Sequence, residues 1–188
     1  MATQDWIEQV VERWSALESE VDFEPYLVTG RISRIATHLA RRQEEVFGRY
    51  GLSRGEVGVL SALRLAGPPH RLSPTQLFKG LMLSSAGMTS RLDRLERRGL
   101  VARTSDPTDR RGILVDLTPR GLELVDTVVA ANTKEEKELV DGLTPAEISS
   151  LAGLLRTLLA SLEDPGGVSR PQGSDQRRDQ ARRPGGRP

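Results

Sequence analysis

Residues 72–121 carry a short capped helix, a tight turn, a second helix and a charged hairpin in immediate succession, and that order leaves few folds open. The first helix opens at Ser73-Pro74-Thr75-Gln76. Ser73 caps an orphan amide, Pro74 fits the first helical position, and Gln76 returns the bond. It ends near Gly80. The second helix begins about Ser84 and carries Met88, Leu92 and Leu95 at helical spacing until Gly99 stops it. Two β-prone runs, 100–104 and 112–117, flank Ser105-Asp106-Pro107-Thr108-Asp109-Arg110-Arg111. The Asp-Pro and Arg-Gly steps of that segment read as a turn, which makes a two-stranded wing with arginines near its tip. The expected fold is mainly α with a small β wing, a winged helix-turn-helix.

Other elements flank this unit. Trp6, Val10, Trp14 and Leu17 fall at spacings of three and four, predicting an amphipathic helix over 3–19 whose two tryptophans must be buried. A second helix is expected over 25–50, with Leu27, Ile32, Ile35, Leu39, Val46 and Phe47 apolar and Gly51 as its stop. A third runs from Ser53 to Ala66, carries Val57, Leu60 and Leu63, and halts at Gly67-Pro68-Pro69. After the wing, Thr118-Pro119 starts a helix reaching Val140, and the capping box Thr144-Pro145-Ala146-Glu147 opens another to Leu162. The last has a broad leucine face at Ile148, Leu151, Leu154, Leu155, Leu158 and Leu159. The terminal helices hold more apolar surface than one small winged helix covers, so a homodimer through them is expected, against the alternative of an intramolecular helical cap. The resulting division is 1–50 for N-terminal dimerisation helices, 51–120 for the winged helix-turn-helix, 121–164 for C-terminal dimerisation helices, and 165–188 for a disordered basic tail.

Composition excludes much else. The chain has no cysteine, which removes disulfides, thiolate metal sites and cysteine nucleophiles. His38 and His70 match no metal-ligand spacing and read as surface or packing residues. Phosphate-loop, nucleophile-elbow and metal-pair signatures are missing. No enzyme activity, catalytic residue, metal or cofactor is therefore expected. No apolar run of membrane-spanning length occurs and Met1-Ala2-Thr3-Gln4-Asp5 lacks a signal-peptide profile, so a cytoplasmic address without a membrane partner is expected. The net charge of +1 hides an uneven distribution. The first thirty residues are acidic, with Arg13 the one basic side chain among them, whereas eight arginines lie from Arg91 to Arg120, the footprint of a protein that meets phosphate on one face.

If 84–98 is a recognition helix, its first turns enter the major groove of double-stranded DNA while Met88, Leu92 and Leu95 pack inward. Ser84 caps that helix, and Ser85, Ala86, Thr89 and Ser90 become candidates for base edges, being small enough to approach closely. Arg94 is long enough for guanine or phosphate. Arg110 and Arg111 suit a minor groove, with Asp109 orienting a guanidinium. A dimer would set its two recognition helices roughly 34 to 36 Å apart and demand a pseudo-palindromic site. A second reading stays open, in which the same surface docks an acidic protein partner without specific DNA binding.

The string Asp106-Pro107-Thr108-Asp109-Arg110-Arg111-Gly112, followed by Val115-Asp116-Leu117-Thr118-Pro119-Arg120-Gly121, resembles the wing signature of the multiple antibiotic resistance regulator (MarR) family. Leu92-Asp93-Arg94-Leu95-Glu96-Arg97-Arg98-Gly99-Leu100-Val101 is similar to that family's recognition-helix exit. The likeness implies a dimeric repressor, sometimes an activator, released from DNA by a small, often phenolic or anionic, ligand. Trp14 on an additional amino-terminal helix narrows it to the urate-responsive branch, where a tryptophan, an aspartate and two arginines define the ligand site. Trp14, Arg91 and Arg103 match three of those places, and the fourth falls at Gly58, which has no carboxylate. The resemblance thus implies an anionic ligand on the two arginines and departs from the pattern for urate. The alternative is that Trp14 is core and that Arg91 and Arg103 meet phosphate or acidic neighbours.

Overall fold

A computed structural model describes residues 4–81, 85–107, 109 and 112–163, with the backbone alone at 79–81, 85 and 86. Ser84, Arg110, Arg111 and the basic tail lie outside the described residues. Two compact units divide the chain, Met1–Leu139 and Val140–Pro188. The first holds α1 (Trp6–Leu17), α2 (Pro25–Gly48), α3 (Arg54–Leu65), α4 (Pro74–Leu81), α5 (Ser85–Arg97) and nearly all of α6 (Pro119–Val140), with strands β1 (Arg71–Leu72), β2 (Val101–Ser105) and β3 (Ile113–Leu117). The second holds α7 (Pro145–Glu163).

Local chemistry sets most boundaries. Asp5 and Glu8 form a capping box at α1, Ser53 and Glu56 another at α3, and Thr144 and Glu147 a third at α7. At α4 the Ser73 amide donates to Gln76 Oε1 at 2.8 Å and the Gln76 amide to Ser73 Oγ at 3.2 Å, as expected from the sequence. Helix α5 stops at Gly99, whose φ of 67° lets the Leu100 amide reach back to the Leu95 carbonyl at 3.0 Å and its own amide to Glu96 at 2.8 Å. This double closure satisfies carbonyls the helix end would otherwise orphan, and only glycine adopts that φ without strain.

The wing is a three-stranded antiparallel sheet in the order β1-β3-β2, not the two-stranded ribbon expected. Arg71 pairs in register with Asp116 and Leu72 with Val115. Asp116 ties the sheet together: one oxygen takes the Arg71 guanidinium, and the other accepts from the Thr104 hydroxyl at 2.7 Å. A two-residue strand has no periodicity for a sequence to display.

One core unites α2 to α6 and the sheet, with Val46, Phe47, Leu60, Leu63, Leu77, Met88, Leu92, Leu95, Leu100, Val115, Val125 and Val128 all buried. The start of α6 belongs to that core, so the packing does not divide at residue 120. Gly121 makes this possible: a Cβ there would collide with the Leu100 carbonyl and lie 2.9 Å from Leu117 Cδ1. Helix α1 docks through buried Ile7 onto Gly30 of α2, while Arg31 bonds Asp5 at 2.8 Å and Glu8 at 2.7 Å. Within the single chain the two tryptophans stay about half exposed, Trp6 at 56% and Trp14 at 51%. Ile7, about 100° round the helix from Trp6 and two turns before Trp14, takes the contact with α2, with Trp6 beneath the Arg34 guanidinium at 5.1 Å and Trp14 stacked on Phe23 at 6.0 Å. Among the described residues no helix is long and apolar enough to cross a membrane.

Because the Gly121 contact is with backbone, its neighbour cannot give way. Gly121→Ala should cost about 1–3 kcal/mol and lower the thermal midpoint by several degrees in a calorimetric scan; an unchanged midpoint would show that α6 does not seat there.

Candidate nucleic-acid interface

Met88, Leu92 and Leu95 point α5 inward. At about 100° per residue the opposite face carries Ser90, Asp93 and Arg97, all exposed, with exposed Thr89 beside them. Ser85 and Ala86 lie in the first turn, where only backbone is described. This places Thr89 and Ser90 on an accessible surface at the amino-terminal half of the helix, as a base-reading element requires. Arg97 joins them from the next turns, its Nε donating to the Asp93 carbonyl at 3.3 Å. Asp109 sits in the wing turn, where the Gly112 amide donates to its carbonyl at 2.8 Å and the Asp106 amide to the Gly112 carbonyl at 2.9 Å.

Three guanidinium groups fix how α5 lies. From α5 itself, Arg94 Nε donates to Glu56 Oε1 at 2.8 Å and Nη1 to Ser90 Oγ at 2.8 Å. Arg98 donates to the Gly51 carbonyl at 2.6 Å and the Tyr50 carbonyl at 3.0 Å, capping the end of α2. From β2, Arg103 bonds Asp93 Oδ1 and Glu96 Oε2, both at 2.7 Å, locking wing to helix. Arg94, expected to reach guanine or phosphate, is therefore already engaged between α3 and its own helix.

Glu56 is the anchor of the first link. It is 5% exposed, and its second oxygen accepts from the Ser53 amide and hydroxyl, each at 2.9 Å. Burial pushes this carboxyl up, but the bonds from the Ser53 amide, the Arg94 guanidinium and the Ser53 hydroxyl outweigh it and hold it below its ordinary value.

The expected ligand trio does not converge. Arg91 and Arg103 contact opposite flanks of α5, because Arg91 and Asp93, the partner of Arg103, stand two residues apart on the helix. Arg91 lies over Gly55, where any Cβ would collide with its guanidinium, and lines a cavity of about 560 Å³ with Gln43, Glu44, Phe47, Ser53, Arg54, Val57 and Gly58. Its Nη1 is buried without a hydrogen-bond partner. Arg103 lines a separate cavity of about 480 Å³ with Pro74, Thr75, Phe78, Met88, Thr89, Leu92, Asp93 and Ile113. Trp14 borders neither and stacks on Phe23. The single pocket of Trp14, Arg91 and Arg103 is thus corrected to two cavities, one on each flank of α5, with acidic neighbours already holding Arg103.

A family model described as MarR family matches residues 50–112. The HTH-type transcriptional regulator PecS of Dickeya dadantii is 34% identical over 149 residues, 79% of this chain and 90% of its relative. The chain belongs to the MarR family. It is a DNA-binding transcriptional regulator, and MarR relatives are not enzymes. A MarR family regulator from Streptomyces coelicolor, solved in complex with DNA, superposes with a TM-score of 0.68 at 28% identity, covering 76% of this chain and 94% of that one. The structure of Bordetella bronchiseptica BpsR, whose DNA binding is regulated by 6-hydroxynicotinic acid, superposes with a TM-score of 0.62 at 30% identity over 70% and 92% of the two chains.

Within this MarR fold, three useful residues went unnoticed in the sequence. Glu56 was visible as the fourth residue of a Ser-x-x-Glu capping box. Arg97 shares the outward face with Ser90, which a helical projection reveals. Arg98 gave no signal, because its partners are carbonyls at the end of another helix.

A carboxyl held below its ordinary value stabilises the fold fully above the unfolded value near 4.3 and loses that contribution as pH falls through the folded one. The thermal midpoint of the native protein should thus fall more steeply between about pH 5 and pH 3 than that of Glu56→Gln. Parallel curves would contradict the Glu56–Arg94 tie.

Proposed function

We propose that this regulator is a homodimeric repressor whose two α5 helices enter the major groove of a pseudo-palindromic operator, and that a small anionic or phenolic ligand releases it. The observation that carries the reading is the outward face of α5, where Thr89, Ser90 and Arg97 stand exposed on a helix braced from α2, α3 and the wing. Ser84, Ser85 and Ala86 are assigned to the bases beside them, and Arg110, Arg111 and Asp109 to the adjacent minor groove.

Dimerisation is supported by apolar side chains that a single chain leaves in water: Trp6, Trp14 and Leu17 on α1, and Leu154, Leu155, Leu159 and Leu162 on α7. Apolar surface of this extent on each helix calls for a cover, and a second copy supplies one by symmetry. In this division residues 1–50 and 121–164 join the subunits, residues 51–120 read DNA, and the tail adds non-specific attraction. Ligand control is supported by Arg91, whose partnerless Nη1 offers a charged donor in a cavity large enough for an aromatic acid. BpsR, regulated by such an acid, supports the chemical class.

Fluorescence anisotropy with the DNA upstream of the protein's own coding region tests this. Saturable binding is expected, with Arg110→Ala weakening it on all sequences and reducing the salt slope by about one. Hydroxybenzoates or 6-hydroxynicotinic acid should release the complex, and Arg91→Gln should abolish the release. No binding at low salt would contradict the DNA reading; release that survives Arg91→Gln would contradict the ligand site.

A further inference from the structure

The hydrogen bonds around Arg94 form one connected path from the first turn of α3 to the DNA-facing side of α5. The Ser53 amide and hydroxyl hold Glu56 Oε2, Glu56 Oε1 holds Arg94 Nε, and Arg94 Nη1 donates to Ser90 Oγ. Glu56 is buried at one end of this path, while Ser90 is exposed at the other. The direction of the last bond matters. A serine hydroxyl has one proton and two lone pairs, so without a partner it serves a base edge equally as donor or acceptor. Here a guanidinium occupies one lone pair with a charge-assisted bond, and its positive charge disfavours a second donor at that oxygen. What remains for DNA is the hydroxyl proton.

We propose that Ser90 is a committed hydrogen-bond donor to the operator and that Glu56 is the positioning residue that makes it one, by holding Arg94 against the Ser90 oxygen. The chemistry recognised is an acceptor on the major-groove edge, such as guanine O6 or N7, adenine N7 or thymine O4, and the chemistry refused is a donor there, the cytosine N4 or adenine N6 amino group. Glu56 has a second effect. Arg94 is 44% exposed and long, and released from Glu56 it would turn to a phosphate, which adds affinity for every sequence and selectivity for none. Glu56 thus withdraws a cation from non-specific use. The inference rests on α5 being the recognition helix.

The test compares affinity for a duplex that the native protein selects from a random pool with affinity for a shuffled duplex. The variants are Ser90→Ala, Glu56→Gln, their combination, and Arg94→Lys. Glu56→Gln keeps an acceptor for the Ser53 amide but lacks the charge that holds Arg94. Arg94→Lys keeps the charge but lacks the planar fork that bridges two partners, so it carries the comparison if Glu56→Gln melts too readily. Each single variant should lower the ratio of selected to shuffled affinity roughly tenfold and leave shuffled binding as tight as before or tighter. The double variant should lose no more than Ser90→Ala alone, and the preference at one base pair per half-site should relax. An unchanged ratio in Ser90→Ala, additive losses, or an equal fall in both affinities would overturn the proposal while leaving α5 as the reader. A native protein that selects no duplex would overturn the DNA reading and this inference with it.

Discussion

Everything the surface does depends on the burial of one face of α5. A thirteen-residue helix is marginal alone in water, and α5 owes its place to Met88, Leu92 and Leu95 sinking into the core shared with Val59, Leu60 and Leu63 of α3. Three such side chains are worth about 5–9 kcal/mol, against about 1 kcal/mol or less for each exposed ion pair. Apolar burial therefore decides that the helix docks. The guanidinium links of Arg94, Arg98 and Arg103 decide its angle, which burial leaves loosely specified because it has no direction.

This division of labour separates stability from function along one short segment. The inward face belongs to the core, the outward face of Ser90, Asp93 and Arg97 is exposed, and each flank borders a cavity. Arg91 and Gly55 mark one flank, Arg103 and Asp93 the other. In the proposed reading a ligand in the Arg91 cavity presses on the same helix that is assigned to DNA, so differential affinity for two positions of α5 would change operator affinity. No long relay is needed.

The sequence carried the parts of this picture that are local. Capping residues at Ser73 and Thr144 and the glycine stop at Gly99 placed the helices to within a few residues, because each satisfies backbone groups of its own helix. The wing string gave the family as well as the hairpin. What stayed hidden is non-local. β1 pairs with a strand some forty residues on, Glu56 meets Arg94 across two helices, and the separation of Arg91 from Arg103 follows from which way each flank of α5 faces. Trp6 and Trp14 show the same limit: an apolar stripe says that a face will be covered, not which chain will cover it.

The central claim is that α5 enters the major groove, and guanine N7, which lies only there, reports it. Dimethyl sulfate protection of the protein's upstream DNA should show guanines shielded in two half-sites centred about 10 base pairs apart. Tight binding with every guanine N7 still reactive would contradict the account.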